Sequence, residues 1–253
     1  MSRKVLITGA TGKFGSVLVR HFLDAGDHVI ATGRSEEALS QLKATTTSPR
    51  STHLHLLKID LMADHVGSLL VDRLSHLGIE PDCLVNNARS LDSLKLDDLG
   101  KASPEDFLNE FKLGVVVPYE LVMALANQPT NCLRVIVNVG SIYGTVAPNL
   151  KLYTDPERQS PIQYGVTKAA LAHLTKELAV RLAAKNIRVN CVAYGGVEGR
   201  VDEAFKQRYA ALCPAGRMLN EKEIVGPIDM LLSDSGSGIT GHILMVDGGW
   251  SIW

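Results

Sequence analysis

Short apolar segments alternate with amphipathic segments along the whole chain. The apolar segments are KVLITG, HVIATG, HLHLLKID, DCLVNNA, RVIVNVGS, IRVNCVAYG and HILMVDGG. Their valine, isoleucine and leucine residues run almost continuously, which is typical of parallel strands that are covered on both faces. Apolar residues recur at helical spacing over residues 13–25, 35–44, 64–77, 104–127, 162–186 and 221–233. The pattern predicts an α/β fold, a doubly wound parallel sheet of about seven strands with helices on both faces.

The alternation continues from end to end without a recognisable boundary. The polar segment TTTSPRST, residues 45–52, is too short for a domain linker, and no repeat or low-complexity tract interrupts the pattern. A chain of 253 residues with 45% hydrophobic content can bury one large core. We therefore expect a single domain over residues 1–253.

Charge and cysteine content narrow the class of partner. Lys and Arg total 26 against 27 Asp and Glu, which argues against nucleic-acid or membrane-surface binding. No apolar run reaches the ~18 residues of a membrane span, and the residues before the first strand contain no apolar signal-peptide core or cleavage signal. The four cysteines lack ligand spacing, and His53 and His55 alternate along one strand without a third ligand. We expect a cytoplasmic protein with reduced thiols, a small-molecule substrate and no metal.

A glycine turn, TGATGKFG at residues 8–15, follows the first strand and opens the first helix. Gly9 allows a tight turn, Gly12 a close approach to a pyrophosphate, and Gly15 close helix packing. Thr11 and Phe14 belong to the same turn, where the helix N-terminus offers N–H groups to phosphates. An ordinary glycine turn is the alternative interpretation. Its place at the start of a βαβ unit favours a dinucleotide site.

The end of the second strand, ATGRS, bears on which dinucleotide fits. Gly33 stands where an NAD-selective carboxylate would lie, and Arg34 beside it suits a 2′-phosphate. This predicts NADP(H), with a solvated arginine at the helix start as the alternative. Lys13 is a weaker candidate for the phosphate. Further candidates at strand ends are Asp60 for the adenine edge and Asn86 and Ala88 for the adenosine ribose, with Leu61 and Asn87 as additional cofactor contacts. The alternative for the polar residues among them is an ordinary capping role.

The segment QYGVTKAALAHLTKEL, residues 163–178, places Tyr164 and Lys168 one helical turn apart on the same face. A nearby ammonium favours the phenolate and makes the tyrosine a usable proton donor or acceptor. Ser141 ends the fifth strand, where its hydroxyl can polarise a substrate carbonyl. Unrelated surface residues and an ordinary turn serine are the alternatives. The combination at one sheet edge favours the catalytic interpretation.

Taken in order, these motifs resemble the classical short-chain dehydrogenase/reductase family. The matching features span residues 4–250 and include the glycine turn, Asp60, NNA at 86–88, Asn138 to Ser141, Tyr164 with Lys168, Asn190 and VDGGW. The resemblance implies that the tyrosine is the general acid/base, that the serine positions the carbonyl, and that the lysine assists the tyrosine and holds the nicotinamide ribose. It also implies a homotetramer or homodimer packed through the long helices at 104–127 and 162–186.

Several positions depart from the family pattern. Lys13 replaces a glycine of the usual turn, Arg89 replaces the glycine of NNAG and is a candidate for an anionic substrate, and Phe111 occupies the place of a relay asparagine. After the sixth strand the usual Pro-Gly is Tyr194-Gly195, so Val197 is expected to hold the carboxamide through its backbone.

The interval between Ser141 and Tyr164 is longer than is usual in the family. Its polar segment at 148–161 predicts a pocket roof of Lys151, Tyr153, Asp155, Glu157 and Arg158 for a hydroxylated or charged ligand, with a solvated loop as the alternative. The insert is also similar to that of reductases for bacterial surface-sugar and flagellin modification.

The leading hypothesis is an NADP(H)-dependent oxidoreductase that interconverts a ketone and a secondary alcohol on a small polar or sugar-like substrate. The alternatives are a 3-oxoacyl thioester reductase and a nucleotide-sensing homologue without catalysis. The mixed charges do not provide a clear basic patch for an acyl carrier, and the presence of all three reacting residues disfavours the sensor.

Overall fold

The computed structural model describes residues 2–48, 50–130, 132–199 and 201–253. Within them, seven parallel strands form one sheet in the order β3-β2-β1-β4-β5-β6-β7. The strands are β1 (Lys4–Ile7), β2 (His28–Gly33), β3 (Leu54–Lys58), β4 (Cys83–Asn86), β5 (Val135–Ser141), β6 (Arg188–Tyr194) and β7 (Ile243–Val246). The predicted α/β class and doubly wound parallel sheet are confirmed. The order reverses between β1 and β4, where open α/β sheets bind ligands.

The helices of the described residues are α1 (Lys13–Ala25), α2 (Glu36–Thr45), α3 (Val66–Leu77), α4 (Pro104–Phe111), α5 (Val117–Ala126), α6 (Pro156–Gln159), α7 (Ile162–Leu182), α8 (Glu203–Leu212) and α9 (Val225–Leu232). Local sequence fixes several ends. The Ser35 and Ser103 side chains accept N–H groups at the starts of α2 and α4, and Gly26 ends α1 in the left-handed conformation. None of these helices is long and apolar enough to span a membrane.

Two apolar cores lie on opposite faces of the sheet. Val5 and Ile7 of β1 point into a core that includes α1 and α9, whereas Leu6 points into one that includes α3, α5 and α7. Successive side chains of a strand point to opposite faces. The continuous apolar runs therefore reflect a sheet that is covered by helices on both sides.

The helix predicted over residues 104–127 is interrupted. A π-helical segment, Lys112–Val116, separates α4 from α5. The residue four positions before Pro118 is Gly114, whose carbonyl receives no helical N–H from the proline and would meet its ring in a regular helix. The wider turn relieves this conflict. The periodicity of the sequence does not distinguish such a turn from a continuous helix.

Candidate active site

The carboxyl ends of four adjacent strands converge on one edge of the sheet. β1 leads into the glycine turn, β4 leads to Arg89, β5 ends at Ser141, and β6 leads toward Val197. The 3₁₀ turn Ile142–Gly144 packs closely on α7. A Cβ at Gly144 would lie only 2.7 Å from the Lys168 carbonyl oxygen, so this contact needs glycine. This packing brings Ser141 to the segment that carries Tyr164 and Lys168.

The glycine turn has the geometry of a close backbone approach. Gly9 has a φ of +63°, and a Cβ there would lie 2.8 Å from the Ala88 Cα. A Cβ at Gly15 would lie 2.2 Å from the Gly9 carbonyl oxygen. Gly12 is the N-cap residue of α1, and no side-chain oxygen of the described residues caps the helix there, so its first N–H groups are available to an anion. The turn therefore fits a dinucleotide pyrophosphate and needs glycine at positions 9 and 15.

Tyr164 and Lys168 face one another on the buried side of α7. The Lys168 Nζ lies 5.7 Å from the centroid of the Tyr164 ring and donates a 2.8 Å hydrogen bond to the Val139 carbonyl. Lys168 is only 8% exposed, as is Ser141. The Ser141 hydroxyl oxygen accepts from the Tyr143 N–H at 3.2 Å, which leaves its own O–H available. The three predicted reacting residues thus lie at one edge of the sheet.

A buried polar network holds α7 against the sheet. The Asn86 Nδ2 donates to Asn138 Oδ1 at 2.8 Å, and the Asn138 Nδ2 donates to Thr175 Oγ1 at 2.9 Å. The Asn86 Oδ1 has no partner within the described residues, and Asn86 and Lys168 both line a cavity of about 10 Å³. Asn138, which the family resemblance includes, therefore helps to position the helix that carries Tyr164 and Lys168.

Arg89 reaches the candidate catalytic tyrosine. Its Cζ lies 4.8 Å from the centroid of the Tyr164 ring, a cation–π arrangement, while Arg89 itself is exposed. The backbone before Arg89 is fixed, because the Thr8 Oγ1 accepts from the N–H groups of Asn87 (2.9 Å) and Ala88 (3.0 Å). The NNAR departure noted in the sequence thus lies inside the site.

Two residues predicted for the adenosine end, Arg34 and Asp60, are exposed. The Arg34 Nη2 lies 3.5 Å from the Asp92 Oδ2, and the Asp60 Oδ1 accepts from the Met62 N–H at 2.9 Å. Leu61 packs against the core on the α3 side. The Lys13 Nζ donates to the Glu198 carbonyl and lies 3.4 Å from Glu221, so in this structure it crosses to the segment after β6.

Two further cofactor candidates have structural contacts. Val197 forms an isolated parallel bridge with Leu219. The Phe14 ring packs edge-on against Tyr194, with centroids 5.7 Å apart, so Phe14 has only its backbone N–H to offer a phosphate. Thr11 is exposed at the tip of the turn. These positions stay predictions for the cofactor site.

Sequence reasoning missed Gln163, the residue before Tyr164. Gln163 is fully buried, and its Nε2 donates to the carbonyls of Ser93 (2.9 Å) and Lys95 (3.3 Å). The Ser93 hydroxyl in turn donates to the buried Glu110 at 2.6 Å. This network ties the loop after β4 to the start of α7. An amide beside a helix start carries no sequence signal for such a role.

The insert also contributes a tyrosine that the sequence alone did not pair. The hydroxyls of Tyr143 and Tyr153 lie 2.8 Å apart, and burial raises the pKa of both phenols, so they remain protonated. The Arg208 Nε donates to the Leu152 carbonyl at 2.8 Å, and Arg158 lies 3.9 Å from Asp98. Tyr153 packs in a small apolar cluster, whereas Lys151, Glu157 and Arg158 are exposed.

The structure adds a third histidine to the predicted pair. The His28 Nδ1 lies 3.3 Å from the His55 Nε2, and the rings of His28 and His53 stack with centroids 4.0 Å apart. Within the described residues, no group of three or more His, Cys, Asp or Glu is placed to hold a metal ion. The cluster lies at the amino-terminal edge of the sheet, away from Tyr164.

Comparison with known proteins agrees with this geometry. Residues 9–251 match the family model described as enoyl-(acyl carrier protein) reductase. The post-translational flagellin modification protein A of Campylobacter coli is 29% identical, over 98% of each chain. The 3-oxoacyl-[acyl-carrier-protein] reductase of Thermotoga maritima is 30% identical, over 96% of each chain. A short-chain dehydrogenase from Leptospira borgpetersenii with bound NAD⁺ superposes with a TM-score of 0.86 at 27% identity, covering 99% of this chain and 93% of that one.

Proposed function

The chain belongs to the short-chain dehydrogenase/reductase family of nicotinamide-dependent oxidoreductases, and we propose that it interconverts a ketone and a secondary alcohol on a small polar or sugar-like substrate, with NADP(H) as the cofactor. The observation that carries this proposal is the pairing of a buried lysine with a tyrosine at the carboxyl edge of the sheet, where the Lys168 Nζ lies 5.7 Å from the Tyr164 ring centroid.

The residues at the sheet edge fit a nicotinamide dinucleotide. The uncapped start of α1 suits the pyrophosphate, and the buried Lys168, which lines the same small cavity as Asn86, suits hydroxyl groups of a ribose. We assign the cofactor contacts to Gly9, Thr11, Gly12, Phe14, Gly15, Arg34, Asp60, Leu61, Asn87, Ala88, Tyr164, Lys168 and Val197. When bound in its reduced form, the dinucleotide supplies a hydride to the carbonyl carbon and becomes oxidised.

The side chains at the carboxyl edge of the sheet transfer the proton and polarise the carbonyl. Tyr164 gives its hydroxyl proton to the substrate oxygen during reduction and takes it back during oxidation. The Lys168 ammonium stabilises the phenolate that reduction leaves behind. The Ser141 O–H, which the Tyr143 N–H leaves available, donates to the same substrate oxygen and favours the polarised carbonyl.

Arg34 supports the choice of NADP(H). It follows β2 at the position where the chain has no carboxylate to hold a ribose 2′-hydroxyl, since Gly33 is there instead. The opposing observation is Asp92, whose carboxylate lies 3.5 Å from the guanidinium. Both side chains are largely exposed, so the pair is weak and a phosphate can displace the carboxylate.

Turnover of NADPH by the purified protein tests the assignment. We expect Tyr164→Phe to lower kcat at least about 100-fold over a panel of keto-sugars, small ketones and acetoacetyl thioesters, because the proton donor is lost. Fluorescence titration should show nearly unchanged NADPH binding. Tyr119→Phe, at an exposed tyrosine of α5, is the matched control and should turn over like wild type. Wild-type turnover by Tyr164→Phe would contradict the mechanism.

A 3-oxoacyl thioester reductase is the second candidate, which the Thermotoga maritima relative favours. Reduction of the acetoacetyl thioesters in the panel, but not of the keto-sugars, would favour this candidate over the leading proposal.

We also propose a homotetramer or homodimer, because apolar side chains remain exposed along α4 and α7, among them Leu108, Ile162 and Val180. The cytoplasmic location stays a prediction.

A further inference from the structure

Two cations face the ring of Tyr164. The Arg89 Cζ lies 4.8 Å from the ring centroid, and the Lys168 Nζ lies 5.7 Å from it. Among the residues that the structure describes, no carboxylate lies within ion-pair distance of either side chain. The positive charge beside the reacting phenol is therefore not neutralised by the protein itself.

Arg89 is presented from a fixed backbone into an open position. The Asn87 Nδ2 donates to the carbonyls of Thr8 (2.9 Å) and Gly9 (3.2 Å), and this anchors the residues before Arg89 to the glycine turn. The side chain is exposed to solvent. A guanidinium that stacks on an aromatic ring through its face keeps the N–H groups along its edge for a carboxylate.

We propose that Arg89 binds the carboxylate of the substrate, and that the substrate is an oxo acid or hydroxy acid whose carboxylate lies a few bonds from the reacting carbon. This inference rests on the proposed function, because the reacting oxygen is taken to lie at Tyr164 and Ser141. A substrate held there through its oxygen brings an attached carboxylate toward the guanidinium above the Tyr164 ring. An arginine that only shields the ring predicts no dependence on substrate charge.

Matched acids and esters test the proposal by kinetics. Acetoacetate is compared with methyl acetoacetate, and levulinate with methyl levulinate. We expect wild type to favour each acid in kcat/KM by at least about tenfold, as a charge-assisted hydrogen bond provides. Arg89→Gln should lower the acid-to-ester ratio of kcat/KM by about tenfold or more, because any effect of the lost charge on Tyr164 is shared by both substrates, and Arg89→Lys should lie between the two. Arg73→Gln removes the same charge from the exposed face of α3 and should behave like wild type. If wild type shows the same kcat/KM for each acid and its ester, the proposal is overturned.

A binding measurement separates this proposal from the proposed function. Calorimetry of levulinate and acetoacetate binding to the Tyr164→Phe–NADPH complex requires no turnover, and the phenylalanine ring keeps a face for Arg89. Adding Arg89→Gln should weaken binding at least about tenfold. If this loss occurs while no panel compound is reduced by wild type, the anion site stands and the proposed chemistry fails. Equal binding, or no binding, by the two proteins overturns the anion site.

Discussion

Arg34 and Asp92 face each other at the outer end of the candidate cofactor cleft, and the balance between them sets the expected cofactor preference. Their ion pair is exposed, with 3.5 Å between nitrogen and oxygen. We expect Asp92→Asn to tighten NADPH several-fold and to leave NADH unchanged, because a carboxylate no longer competes with the 2′-phosphate. Arg34→Ala should weaken NADPH by about tenfold or more and NADH little.

Fluorescence titration with both dinucleotides measures these changes. Asp72→Asn, on the exposed face of α3, removes the same charge elsewhere and controls for net charge. Equal effects of Arg34→Ala on NADPH and NADH would remove Arg34 from the 2′-phosphate site. The sequence supplies Arg34 and the missing carboxylate, but Asp92 comes from a loop far along the chain, so no local pattern reveals their competition.

The same limit applies to other residues of the site. Sequence alone predicts the site residues that occupy a fixed place relative to a strand or a helical turn, namely the glycine turn, Ser141, Tyr164 and Lys168. Sequence alone does not predict the contacts of Gln163 or the pairing of Tyr143 with Tyr153, since their partners come from loops whose paths depend on tertiary packing. Arg89 stands out in the sequence as a departure from NNAG, yet only the structure places it over the Tyr164 ring.

At the scale of elements, hydrophobic pattern predicts the strands and most helices because burial enforces it. The interruption between α4 and α5 depends instead on the conflict at Pro118 and on the packing of Gly114 against α7. A Cβ at Gly114 would lie 2.3 Å from the Thr167 Cγ2, and Thr167 immediately precedes Lys168. The contact between Gly114 and Thr167 therefore links the π-helical segment to the helix that carries Lys168.

We expect Gly114→Ala to lower the free energy of unfolding by about 1–3 kcal/mol through overpacking. The double variant Gly114→Ala/Thr167→Ser removes the methyl group that the alanine meets, so a double-mutant cycle should show a favourable coupling of about 1 kcal/mol or more. Urea unfolding measures both. Gly238→Ala has open space at its Cβ and should change stability by less than about 0.5 kcal/mol. A loss that Thr167→Ser does not relieve would rule out this contact as its cause.

On the scale of the whole molecule, the two edges of the sheet carry different chemistry. The carboxyl edge bears the candidate active site, and the amino edge bears His28, His53 and His55. A bond between the His28 Nδ1 and the His55 Nε2 needs one N–H and one lone pair, so the two rings cannot both be protonated and keep it. The cluster therefore couples the packing of β2 on β3 to pH.

This coupling predicts a loss of stability in mildly acidic solution. Burial, with His53 and Lys4 nearby, lowers the pKa of His28 below its ordinary 6.5, and burial with His28 and His53 lowers that of His55. As pH falls below about 7, the unfolded chain therefore binds more protons than the native protein. The free energy of unfolding decreases as pH falls, until pH is below the pKa values of the two histidines in the native protein. The effect should be at most about 1 kcal/mol, because the rings are partly exposed and screened.

Urea unfolding between pH 5 and pH 8 checks the prediction. His28→Gln should flatten the decrease between pH 7 and pH 5, because it removes a member of both ring contacts, and His242→Gln, at an exposed histidine, should retain it. Carboxylates act in a lower window: Arg217 lowers the pKa of Glu223 to about 2, so the stability from that pair is lost only as pH falls below about 4.5. A wild-type slope in His28→Gln would show that the histidine cluster does not cause the loss, and that other groups titrate on unfolding in this range.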